Sequence, residues 1–202
     1  MDLRFAHSWH AEMLTARPGI LPARHFVYPG QVEEVERGAL EVMVSPGAPD
    51  FVFGTWEGVT NPPTLPCAQP FLATCALGFR DSAVPTGLWS TPNPAEICAV
   101  SGGYAYLIDT AAPEWFTMIP FRPVLEVRPL IAEKMLLFVG HHAIMAWDGQ
   151  GEAWKSEKLS DEGVTITGVE AGTLRGCGWD MMTDKETYFV LDLRTGTHIA
   201  SA

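Results

Sequence analysis

The residues with the greatest chemical potential are the adjacent pair His141 and His142. Successive side chains on a regular strand point to opposite faces, so the two imidazoles can share a ligand only from a turn. Zinc takes three or four ligands, and the neighbouring sequence supplies none for this pair. His7 and His10 have ligand-like spacing on a helix, without the glutamate that a zinc-protease motif uses as its base. Asp180, Asp184 and Glu186 place three carboxylates within seven residues. A calcium loop needs glycine at its sharp turn, and none stands there, so a solvated hairpin loop is expected.

Cys177 lies in Arg175-Gly-Cys-Gly-Trp179, where strand neighbours two apart share a face and Arg175 is placed to lower the thiol's pKa; the alternative is a small residue packed where a bulky one would not fit. Cys67, Cys75 and Cys98 sit beside proline or within apolar runs and read as inert thiols. No Gly-x-Ser-x-Gly elbow occurs. Gly102-Gly103 is too short to cradle a phosphate and reads as a hairpin turn. The binding candidates are therefore His141, His142, Trp179 and Asp180, with no catalytic residue, metal ligand or cofactor assigned.

The elements that would carry these residues are strands. Sixteen prolines and nineteen glycines punctuate the chain too often for long helices. Ala39 to Val44 alternates as a half-buried strand, Ser45-Pro-Gly-Ala-Pro makes a turn, and Phe51 to Trp56 reads as the partner strand. Residues 57–70 form a proline-rich loop, Phe71 to Phe79 a further strand, and a second loop runs to about Glu96. Glu33 to Arg37 can close a short helix within an otherwise irregular segment 1–37.

The second half carries an internal similarity. Val100 to Trp115 aligns without a gap on Val139 to Trp154 at an offset of 39 residues, so that Asp109 matches Asp148 and Trp115 matches Trp154. A weaker copy runs from Glu186 to His198, with Asp192 in register. A fourth, looser copy comprises Ala76 to Asp81 with a displaced Trp89. Each copy reads as strand, turn, strand, acidic turn, strand. The Asp accepts hydrogen bonds from the turn backbone, and the following Trp covers the hairpin. Units of this length suggest propeller blades or a similar array of small sheets.

The segment Ala143-Ile-Met-Ala-Trp-Asp-Gly-Gln-Gly-Glu-Ala-Trp-Lys-Ser-Glu-Lys-Leu159 resembles a quinoprotein-type propeller blade: an apolar strand ends in Asp, the turn holds Gly, and Trp begins the next strand. Leu191-Asp-Leu-Arg-Thr-Gly196 resembles the same strand end. The resemblance covers residues 98–200 and implies architecture, not a cofactor or an activity. The chain as a whole also resembles a group of bacterial proteins, which implies no chemistry.

Composition narrows the partners. Hydrophobic residues make up 47% and charged residues 18%, which supplies a core and excludes a disordered chain. The net charge of −11, with no basic run, argues against nucleic acid. No apolar stretch reaches membrane-spanning length, and the start of the chain has no secretory h-region, so a cytoplasmic protein with reduced cysteines is expected.

The expectation is a single all-β domain over 1–202: irregular to 37, β-rich with Pro/Gly loops over 38–96, and blade-like repeats over 97–202. Its form would be a small or incomplete β-propeller-like array, with a β-sandwich as the alternative. Tryptophans 56, 89, 115, 147, 154 and 179 are assigned to the core and to the junctions between sheets, with the alternative that a minority line a groove; sequence does not separate the two uses. An open sheet edge suggests a homodimer. The function expected is non-enzymatic binding of an unknown protein or small molecule. The alternatives are an enzyme using His141, His142 and Asp180, or an acidic immunity or regulatory partner.

Overall fold

The computed structural model describes residues 1–30, 32–47 and 69–199. The expected strand at 51–56, Trp56, Cys67 and most of the 57–70 loop lie outside the described residues. Within them the chain is all-β, with a single 3₁₀ helix at Val32–Arg37 and no helix long and apolar enough to cross a membrane.

The strands form four small sheets, none closed into a barrel. The first is β1 (Trp9–Leu14), β3 (Ala39–Pro46), β4 (Phe71–Ala76) and β2 (His25–Tyr28) in that spatial order, with β2 parallel to β4. The second is β5 (Gly87–Ser90), β6 (Glu96–Ser101), β7 (Tyr104–Asp109) and β8 (Phe116–Met118). The third is β9 (Glu126–Leu130), β10 (Met135–Val139), β11 (Ile144–Trp147) and β12 (Glu152–Lys155). The fourth is β13 (Val164–Glu170), β14 (Thr173–Asp180) and β15 (Lys185–Asp192). The last three are antiparallel meanders in chain order. This arrangement is consistent with a propeller-like or a sandwich-like stack.

Three features correct the sequence expectation. The segment read as irregular supplies β1 and β2, and Trp9 of β1 is fully buried with its indole N–H donating to the Glu96 carbonyl oxygen at 3.1 Å. β5 lies inside the stretch read as loop, where it pairs with β6. Both stretches are short and bounded by Pro or turns, so no long alternating run betrayed them. The Ala76–Asp81 copy is also not a strand beyond Ala76, although Asp81 still caps a turn through Ala83 N–H at 2.9 Å.

Period-two alternation explains the stacking. On β6 and β7, Ile97, Ala99, Tyr106 and Ile108 face the first sheet, while Cys98, Val100, Ala105 and Leu107 face the third. On β10 and β11, Leu136, Phe138, Met145 and Trp147 face the second sheet, while Leu137, Val139, Ile144 and Ala146 face the fourth. A strand buried on both faces must read as a continuous apolar run, as these do. In the fourth sheet Val164, Ile166, Phe189 and Leu191 are buried, and Thr165, Thr167 and Tyr188 alternate with them toward solvent. Only one face of that sheet is packed within the described residues.

Burial of a charge in the first sheet is compensated locally. Glu41 accepts a hydrogen bond from the fully buried Thr74 hydroxyl at 2.5 Å. That hydroxyl has one proton to give, so His25 Nε2, 2.9 Å away, is the donor to Thr74.

The third and fourth sheets are locked by Trp154. Its indole N–H donates to the Leu193 carbonyl at 2.6 Å, and its ring lies over Gly196. Any side chain at Gly196 would place Cβ 2.3 Å from ring atom Cε3, and the backbone there has φ +68°. Glycine satisfies both demands.

Candidate functional site: an acidic cleft rimmed by tryptophan

Asp109 and Asp192 end β7 and β15, Asp148 directly follows β11, and the three cap their turns in the same way. Asp109 Oδ1 accepts from the N–H groups of Ala111 and Ala112 at 2.8 and 3.1 Å. Asp148 Oδ1 accepts from Gln150 and Gly151 at 2.6 and 3.2 Å, and Asp192 Oδ1 from Arg194 and Thr195 at 2.7 and 3.2 Å. This is the bonding expected from the sequence.

The turns that follow differ in length. The Asp148 N–H bonds to the Gly151 carbonyl, three residues on, whereas the Asp109 N–H bonds to the Trp115 carbonyl, six residues on. The longer turn includes Pro113, and it delays the next strand. Leu107 therefore pairs with Thr117, whereas its counterpart Ala146 pairs with Trp154. A bulge between Ala146 and Trp147 takes back one residue of the three, which leaves a slip of two. Thr117, not Trp115, stands where Trp154 stands, which corrects the gapless alignment. Trp115 is 71% exposed, on the groove-lining side of the two uses that the sequence left open.

The consequence is a cleft of ≈310 Å3 between the second and third sheets. Glu96, Asp109, Trp115, Thr117, Trp147 and Asp148 line it, and none of its lining residues is cationic. Glu96 is the first residue of β6, immediately before a fully buried apolar run. Its Oε1 accepts the indole N–H of Trp147 at 2.8 Å. Burial pushes its carboxyl pKa up; hydrogen bonds from the Thr91 and Trp147 side chains oppose this, and the Asp109 charge adds to it. Asp109 and Asp148 each use one carboxylate oxygen on their turns, and their Oδ2 atoms have no protein partner among the described residues. Chemically, the cleft offers acceptors and an aromatic face, the combination that holds ammonium or guanidinium groups.

The residues singled out by sequence lie at the opposite end of the sheets. His141 and His142 occupy the β10–β11 turn, both exposed, with ring centroids 6.2 Å apart. They line a recess of ≈210 Å3 with Phe121, Arg122 and Lys155. Trp179 and Asp180 line a separate, neighbouring groove of ≈260 Å3 with Lys158, Ser160 and Asp161. Ser160 connects the two: its carbonyl accepts from His142 Nδ1 at 3.0 Å, and its hydroxyl accepts from the Trp179 N–H at 2.8 Å. Trp179 is 38% exposed rather than core, because its β14 position points to the unpacked face of the fourth sheet. Asp180 caps the hairpin turn through Met182 and Thr183 N–H at 2.9 and 3.4 Å, the solvated loop that the sequence implies.

Two further candidates lose their chemical reading. His7 and His10 flank the start of a strand, not a helix, and His7 bonds the Phe5 carbonyl at 2.9 Å instead of sharing a ligand. The nearest partner of Cys177 is not Arg175 but Glu186, across the β14–β15 ladder, whose hydrogen bond raises the thiol's pKa with burial adding to it. Cys75 and Cys98 are buried, and burial pushes both thiols up. Among the described residues no group of three His, Cys, Asp or Glu side chains is placed to hold a metal.

Glu96 was missed by sequence reasoning, although a signal existed. A lone carboxylate opening the apolar run Ile97-Cys98-Ala99-Val100 has to find partners at the sheet's end. No protein-family model matches this chain, and no curated protein matches it significantly.

Proposed function

We propose that this chain is a non-catalytic binding module that holds a cationic side chain of a partner protein in the cleft between its second and third sheets. The observation that carries the reading is Trp115, a 71% exposed indole at a cleft lined by three carboxylates and no cation. Exposed Trp is the best cation–π platform, and a partly desolvated carboxylate beside it strengthens the pairing. The net charge of −11 would steer a cationic partner toward the surface before docking.

The reading extends to architecture and setting. We take the sheets as propeller-like blades, supported by their meander order and by the matching bonds of Asp109, Asp148 and Asp192. We place the chain in the cytoplasm, supported by the free thiols of Cys75, Cys98 and Cys177.

The test uses arginine-rich and lysine-rich peptides, followed by tryptophan fluorescence and calorimetry at low and high salt, with a glutamate-rich peptide as control. Saturable binding that weakens with salt is expected, and Trp115→Ala should reduce it roughly tenfold. Failure of both cationic peptides to bind, or undiminished binding by Trp115→Ala, would overturn the proposal.

A further inference from the structure

At the other end of the sheets the electrostatics reverse. Arg122, His141, His142 and Lys155 converge on one recess of ≈210 Å3 in a chain whose net charge is −11, and no carboxylate lines it. None of the four pairs with a carboxylate among the described residues. Asp161 interacts with His142, and it is already engaged by Lys158 and by the Met181 N–H. Arg122 and Lys155 are the permanent charges there, so the recess is a positive spot on an acidic protein.

The groups are held in place. Phe121 forms the apolar wall and packs on Gly140, where a Cβ would lie 2.7 Å from its ring. Lys155 Nζ stands 5.8 Å from the Phe121 ring centroid, and the Arg122 guanidinium 5.0 Å from that of Tyr104. His142 donates Nδ1–H to the Ser160 carbonyl, which fixes the ring and leaves Nε2 free of protein partners.

We infer that this recess binds an oxyanion, a phosphate or a carboxylate, carried on a small flat apolar body that rests on Phe121. Arg122 and Lys155 supply charge and N–H donors, and the imidazoles close the turn side. A guanidinium fork fits either oxyanion, so the shared chemistry defines the ligand class. The inference uses none of the residues of the Trp115 cleft, and the two readings stand or fall separately.

The experiment titrates the intact chain with phenyl phosphate, benzoate, inorganic phosphate and, as a neutral control, phenol, at constant ionic strength. Calorimetry measures affinity, and the imidazole C2–H NMR signals of His141 and His142 locate the site. Phenyl phosphate or benzoate should bind saturably, shift both histidine signals and outcompete phenol, and the stronger of the two identifies the anion. Arg122→Gln and Lys155→Gln, both at exposed positions, should each weaken binding by about tenfold, the loss of one charge-assisted hydrogen bond. The inference is overturned if no oxyanion probe binds saturably, if phenol binds as well as benzoate, or if both variants retain full affinity.

Discussion

Between the third and fourth sheets a tryptophan fills the junction; between the second and third, the matching strand position carries Thr117 and a cleft remains. Both junctions have an Asp-capped turn on the receiving sheet, at Asp192 and at Asp148. They differ in what arrives. Trp154 is 6% exposed and reaches the Leu193 carbonyl, whereas Trp115, displaced by its longer turn, stands in solvent. One chain has thus used the same turn chemistry twice, once to bury an indole and once to present one. A buried ring contributes stability. An exposed ring beside carboxylates contributes little to folding, which is the usual condition of a residue held for a ligand.

If the comparison is sound, the closed junction should be the costly one to disturb. Trp154→Ala removes the ring, leaves the Leu193 carbonyl without its donor and opens a cavity, so chemical denaturation should show a loss of about 3–5 kcal/mol. A loss below about 1 kcal/mol would mean that the indole is not what fastens these sheets. Next in size is Gly196→Ala, which combines a left-handed backbone with a Cβ driven into the Trp154 ring and should cost about 2–4 kcal/mol. Its counterpart is Gly149→Ala in the open junction, where a Cβ meets nothing closer than the Pro92 carbonyl oxygen at 3.6 Å. That change should stay within about 0.5 kcal/mol. Equal losses at the two glycines would erase the distinction.

Much of this architecture was legible in the residues themselves. The runs Leu136 to Val139 and Ile144 to Trp147 announce strands buried on both faces, and the alternation of Val164 to Thr167 announces a sheet with one dry face. The Asp-capped turns followed from hydrogen-bonding chemistry alone. The cleft was not legible, because it arises from a difference in turn length that a bulge offsets only in part, and a gapless alignment hides both. It equated Trp115 with Trp154, whereas strand pairing equates Thr117 with Trp154. β1 and β2 escaped notice for another reason: they pair with strands distant in the chain, so no hairpin signal adjoins them. The histidine turn was found by residue type, but its company of Arg122 and Lys155 depends on how neighbouring segments fold back on it.

The open junction should also respond to acid. Burial holds the folded-state pKa of Glu96 above its ordinary value of 4.5. The folded chain therefore retains this proton to higher pH than the unfolded chain, so the stability linked to it is fully present below the ordinary value and is lost as pH rises through the folded one. Glu96→Gln keeps an acceptor for Trp147 and removes the titration. The stability of the wild type relative to Glu96→Gln should fall on going from acid toward neutral pH, measured by denaturant midpoints across that range. A difference that is flat with pH, or that grows toward neutrality, would show that the cleft does not desolvate this carboxylate.

The smallest expected effect on stability is the most informative about purpose. Trp115→Ala removes a ring that is mostly in water already, so the unfolding free energy should change by less than about 0.5 kcal/mol. The same substitution should abolish most of the affinity for arginine-rich peptide, because the cation loses the aromatic face that the carboxylates alone cannot replace. Stability and binding would then separate at Trp115 while they remain inseparable at Trp154. If Trp115→Ala destabilises the fold as much as Trp154→Ala does, the indole packs in solution against the Asp148 turn and the cleft is closed. In that case the two junctions are alike, and the reason for assigning a ligand to one of them disappears.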